Sequence, residues 1–266
     1  MFPDLWMAVV AVSLGGMIGI VQGTLGAGGA ILTLPVLVYV LGAPVPVATG
    51  TSIAVTCLNA SVGALQAWRV RRALPRVSVV LGVGGILGTF AGAWLNHRTP
   101  EVVVLGLFGL IMLASATSMV RGGTGSESAK PAPLIFTPVF ILKVVAVGLC
   151  VGTLTGLFGV GGGFLLVPAL VTVLGVPMRM AAGTSMMAIT LNSIWGLAAH
   201  TGLGGIDWVL VALLGGSGIV GVVAGGHLSG RVPERHLRRA FAGLVFSLAV
   251  YTLARNGTAL VATITS

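Results

Sequence analysis

The chain has 266 residues, of which 56% are hydrophobic and 7% charged, with 14 Lys+Arg against 5 Asp+Glu and a net charge of +9. A soluble domain carries about 25% charged residues and a disordered chain is poor in apolar ones, so both classes are excluded. What remains is an all-α polytopic membrane protein, whose surplus of positive charge reports topology rather than nucleic-acid binding.

The chain starts Met1-Phe2-Pro3-Asp4. That places an acid where a signal peptide needs basic residues, so the start is read as part of the first membrane segment. Apolar segments follow at 5–22, 30–41, 46–67, 77–95 and 102–120. After a stretch rich in Gly, Ser and Pro they resume at 138–155, 164–174, 180–199, 208–228 and 237–254. The predicted organisation is a first membrane repeat over 1–120, a cytoplasmic linker over 121–137 and a second membrane repeat over 138–266. Trp6, Trp68, Trp94 and Trp208 fall near segment ends, where aromatic belts form, and Trp195 is read as a packing residue. Cys57 and Cys150 both lie inside apolar runs and are expected to be buried free thiols.

The halves repeat. Shifted by 133 residues the chain aligns with itself without a gap, and 20 of the 45 positions from Gly19 to Gly63 are identical, more than composition accounts for. Pro35 falls on Pro168, Gly42 on Gly175, Gly50-Thr51-Ser52 on Gly183-Thr184-Ser185, and Asn59 on Asn192.

The second segment of each half is too short to cross. Twelve residues cover about 18 Å, against a bilayer core of about 30 Å. A glycine run precedes each one (GTLGAGG and GLFGVGGG). The expectation is a re-entrant or short helical hairpin with its glycine tip near mid-depth, plus three transmembrane helices per half. Each short helix would aim its free N–H groups at its tip, an arrangement that binds anions. This makes Gly26, Gly28, Gly29, Gly159, Gly161 and Gly162 candidate substrate-binding residues. The same glycines would also serve helix packing alone.

On the third segment Ser52, Asn59, Gly63 and Gln66 follow one helical face, and on the eighth the face reads Ser185, Asn192 and Gly196, with His200 one place along. Uncharged polar groups on a glycine-lined face can hydrogen-bond an anion. Interhelical hydrogen bonding is the alternative role. All five carboxylates lie at segment ends or in loops, so a carboxylate proton relay is not expected. There is no metal-ligand spacing, no H-E-x-x-H and no Ser/His pair at matching depth. The reading is therefore neither an enzyme nor a cofactor protein.

Basic residues set the orientation. If each hairpin returns to its own side, 12 basic residues fall inside and only Arg98 and Arg255 outside. The two repeats are then inverted relative to each other, with both termini outside. Inverted repeats with broken helices are an architecture of secondary transporters.

The paired runs GTLGAGGAILTLPVL and GLFGVGGGFLLVPAL, each followed by Gly-Thr-Ser, resemble the TauE/SafE sulfite exporter family over nearly the whole chain. The resemblance implies an inner-membrane transporter of small sulfur-containing anions such as sulfite or sulfonates, with export as the usual direction. It also brings Thr51, Thr184 and Gly163 into the candidate site. One departure is Ala30, which stands where the second half has Gly163. The expected function is export by alternating access, with the anion held at mid-membrane between the two tips. An anion channel of the same fold, or a carrier for another small carboxylate or oxyanion, is the alternative. The expected partners are a small anion and membrane lipid, with a homodimer allowed and nucleic acid excluded.

Overall fold

The computed structural model describes residues 5–26, 29–96, 98–99, 101–121, 138–158, 163–200 and 205–265, and the statements below concern these. They are predominantly helical, with no strand. In chain order the helices are α1 (Leu5–Leu25), α2 (Ala30–Val40), α3 (Val45–Arg69), α4 (Pro75–Asn96) and α5 (Glu101–Arg121). The second half gives α6 (Pro138–Phe158), α7 (Gly163–Thr172), α8 (Met178–His200), α9 (Trp208–Ser229) and α10 (Glu234–Thr265). Five helices are long and apolar enough to cross a membrane, α1, α3, α4, α6 and α9. Large apolar side chains also cover the outside, among them Leu87, Phe90, Leu142 and Val220. A helix that is apolar all round belongs in lipid or in a core, so this is a multi-pass membrane protein.

The two short helices end alike. Pro35 inside α2 cannot donate a backbone hydrogen bond, and the turn after it widens, with the Leu41 amide bonded to the Val36 carbonyl at 3.0 Å. Pro168 lies at the matching place in α7, and the Leu174 amide bonds the Ala169 carbonyl at 3.3 Å. Gly42 (φ +67°) and Gly175 (φ +65°) then turn the chain in the left-handed region that glycine adopts without strain.

Packing crosses between halves. α1 lies along α9, α4 along α6, α5 along α10 and α3 along α8. The first two pairs are glycine seams. Gly15, Gly19 and Gly23 rest in turn against Leu214, Gly218 and Val222, while Gly84, Gly88 and Gly92 rest against Val145, Leu149 and Thr153. Both pairs therefore run parallel. α3 and α8 run antiparallel, since Ile53 meets Gly196, Gly63 meets Met186 and Ala67 meets Gly183. The 133-residue shift converts the α1/α9 contacts into those of α6/α4.

Basic residues gather at one end of the bundle. There the Arg72 guanidinium stands beside Gly230, the Arg72 carbonyl beside Gly183, and the Arg179 guanidinium donates to the Val232 carbonyl at 2.8 Å. The start of α3 and the start of α9 meet at the opposite end, where Gly50 lies against the Gly205 carbonyl.

Two expectations are corrected. Trp195 is 58% exposed and faces outward rather than packing inside the bundle. Cys150 is also exposed and Cys57 only half-buried; both are free thiols. An apolar neighbourhood in sequence does not separate a lipid-facing position from a core one. Trp6, Trp68, Trp94 and Trp208 are exposed at helix ends, and the Arg98 guanidinium stacks 3.8 Å above the Trp94 ring.

Candidate functional site

At the middle of α3 the Asn59 side chain is fully buried, and neither Nδ2 nor Oδ1 has a hydrogen-bond partner among the described residues. The carboxamide packs on Gly218, the midpoint of α9. The arrangement recurs on exchanging the halves. Asn192, at the middle of α8, packs on Gly85 at the middle of α4, and its Oδ1 is buried without a partner. Glycine at 85 and 218 leaves each amide its room. An unmet buried polar group costs about 1–3 kcal/mol. Two of them at matched mid-helix positions are a repeated expense in a chain that could use leucine, and a bound polar ligand would offset it. Ser52 is buried two turns before Asn59.

The hydroxyls of the Gly-Thr-Ser segments are employed otherwise. The Thr51 hydroxyl oxygen accepts from the Asp207 amide and that of Thr184 from the Leu74 amide, each at 3.1 Å. Each threonine thus ties the entry of the fourth helix of the opposite half. Asp207 in turn caps α9, its Oδ1 accepting from the Val209 and Leu210 amides. The Ser185 hydroxyl donates to the Ala182 carbonyl at 2.8 Å.

The first glycine tip lies deeper than its short arm suggested. Gly26 breaks α1 at φ +76° and packs against Ala182 in the first turn of α8, at the arginine-rich end. α1 has 21 residues, about 31 Å, so the incoming arm alone reaches most of the way across. The second incoming arm, α6, ends towards the other end, with Leu157 against Gly92 near the close of α4. α1 and α6 therefore close towards opposite ends of the bundle. Gly29 sits at the entry of α2 with no side-chain cap, folded onto Gln22 and the Ile18 carbonyl. Gly28, Gly159, Gly161 and Gly162 lie outside the described residues, as do the side chain surroundings of Gly163, whose backbone opens α7.

Gln66 is seven residues past Asn59, about 10 Å along α3. Its Nε2 donates to the Val223 carbonyl at 3.3 Å and lies 3.3 Å from His227 Nδ1, so it belongs to the arginine-rich end rather than to the mid-depth amides. His200 closes α8, and its side chain lies outside the described residues.

Among the buried polar residues that sequence reasoning missed, Gln22 stands out. Gln22 on α1 is 0% exposed, and both Nε2 and Oε1 are without a partner among the described residues. The repeat comparison hides it, because its counterpart is Thr155. An intramembrane carboxamide is itself the signal that could have found it. No group of three or more His, Cys, Asp or Glu that could hold a metal occurs among the described residues.

A bundle of apolar helices whose halves exchange partners, with carboxamides held inside it at mid-helix, is a multi-pass membrane protein, and its relatives are membrane transporters. The chain belongs to the sulfite exporter TauE/SafE family, whose model matches residues 11–252. It is 32% identical over 262 residues to a probable membrane transporter protein of Xylella fastidiosa (strain 9a5c), covering 96% of this chain and 98% of that one. It is 25% identical over 225 residues to the probable membrane transporter protein YdhB of Bacillus subtilis (strain 168), covering 84% and 91%. With the probable membrane transporter protein MJ0441 of Methanocaldococcus jannaschii it shares 26% over 209 residues, covering 75% and 74%. No solved structure matches the chain.

Proposed function

We propose that this protein is a secondary transporter that exports a small sulfur oxyanion, of sulfite or sulfonate type, by alternating access. The observation that carries the reading is the matched pair of mid-helix carboxamides set against Gly218 and Gly85, Asn59 with both polar atoms unmet and Asn192 with its Oδ1 unmet among the described residues. A carboxamide N–H donates to an anionic oxygen without a fixed countercharge, so it holds the anion and still lets it go. The description of the family as sulfite exporters supports the substrate class.

The two membrane repeats, 1–120 and 138–266, are inverted relative to each other, a reading supported by antiparallel α3 and α8. The arginine-rich end is cytoplasmic under the positive-inside rule, which puts the linker inside and both termini outside the cell inner membrane. Exchange of the α1/α9 and α4/α6 seams between halves gives the two bodies that rock about α3 and α8.

The test is counterflow in liposomes holding the purified protein. Unlabelled sulfite inside should accelerate uptake of labelled sulfite, and uptake should saturate. Flux that rises without saturation would assign a channel. Saturable movement of acetate but not of sulfite or sulfoacetate would replace the substrate class.

A further inference from the structure

The amides of Asn59 and Asn192 have counterparts in each other, but Gln22 has none. The position 133 residues on is Thr155, whose hydroxyl is satisfied by the Val151 carbonyl of its own helix at 2.7 Å. The second half thus closes this position internally, while the first keeps a fully buried carboxamide whose donor and acceptor are both unmet among the described residues.

Its placement ties it to the candidate site. Gly19, three residues before Gln22 on α1, rests against Gly218, and Gly218 is the residue on which the Asn59 amide packs. Three residues are about 4.5 Å of helix, so Gln22 and Asn59 stand within one turn of each other in height. Gln22 also adjoins the break in α1. The Gly26 amide bonds the Gln22 carbonyl at 2.8 Å, and Gly29 folds back onto the Gln22 side chain.

We infer that Gln22 is a further substrate-binding residue, its Nε2 donating to an oxygen of a small oxyanion that enters from the arginine-rich end. Its Oε1 accepts from a hydroxyl when the anion carries one, as hydrogensulfite does and a sulfonate does not. The inference rests on the transporter reading above. It makes the site asymmetric, with three amides of which two belong to the first half, and gives the first hairpin a role that the second does not share.

The experiment compares wild type, Gln22→Met, Gln22→Leu and Asn59→Leu in saturable sulfite counterflow and in thermal unfolding with and without sulfite. Gln22→Met keeps the length of the side chain and removes both polar atoms. The expected result is a KM for sulfite raised tenfold or more and a lost sulfite-induced rise in Tm. The Tm without anion should be equal or higher, since an unmet amide has been removed. A purely structural glutamine would instead lower the anion-free Tm and leave KM alone. A KM within twofold of wild type in Gln22→Met and Gln22→Leu, or failure of both variants to fold, overturns the inference. If Asn59→Leu raises KM while the Gln22 variants do not, only the Gln22 assignment falls. If the wild type shows no saturable sulfite movement, the transporter reading falls and this inference with it.

Discussion

The Asn59 carboxamide occupies the space that any side chain at Gly218 would need: a methyl placed on Gly218 would fall 2.5 Å from Nδ2. Asn192 holds the same relation to Gly85, at 2.6 Å. Gly218→Ala and Gly85→Ala should each push an amide aside, lowering stability by about 1–3 kcal/mol and weakening anion binding together. Thermal unfolding and counterflow on the same preparations check this, and an unchanged Tm and KM in both variants would show that the amides are not held there.

Removing the amides separates binding from folding. Asn59→Leu and Asn192→Leu should raise KM for the transported anion about tenfold, equivalent to about 1.4 kcal/mol, with Tm unchanged or higher. If saturation is the same in both variants, neither residue belongs to the site.

Thr51 and Thr184 should behave oppositely. Each hydroxyl receives one backbone amide from the other half, so Thr51→Val and Thr184→Val should each cost about 1 kcal/mol of stability with KM preserved. A selective loss of affinity would return these residues to the anion site.

The glycine seams set a steric test. Gly19 has Gly218 Cα 2.8 Å from the place of a Cβ, and Gly88 has the Thr153 amide at 2.6 Å. Gly19→Leu and Gly88→Leu should therefore yield little folded protein. Gly16→Ala, where nothing lies within 4 Å, should be tolerated. Chromatographic recovery of intact protein reads the difference, and equal recovery of all three would count against the seams.

Orientation is read by labelling. In a background lacking Cys57 and Cys150, Arg69→Cys and Arg231→Cys should react with an impermeant maleimide from the cytoplasmic side, and Trp208→Cys from the other. Labelling of residues 69 and 231 from different sides would refute the inverted arrangement.

Much of this was legible in the sequence, and for identifiable reasons. Helix limits followed hydropathy closely except in α10, which runs on to Thr265 past the end of its apolar segment at 254, and the 133-residue shift matched Asn59 with Asn192 before any contact was known. It could not say that these amides pack on Gly218 and Gly85, because a self-alignment pairs equivalent positions and not neighbours. The same blindness hid the Thr51 and Thr184 bonds, which join non-equivalent positions. Gln22 escaped because it breaks the repeat. The depth of Gly26 depends on the length of α1, whereas the sequence argument measured only the short helix that follows. The outward faces of Trp195 and Cys150 were hidden because lipid and core reward the same side chains.

The exchanged seams bear on how the chain is made. Gly19 leaves the ribosome long before Gly218, so the notched flank of α1 is inserted into lipid with its eventual companion still unsynthesised. α4 waits far less, since α6 follows after one intervening helix and the linker. The first half is therefore the vulnerable intermediate of biogenesis, and a truncated chain ending before α9 would leave that flank for quality-control proteases to recognise.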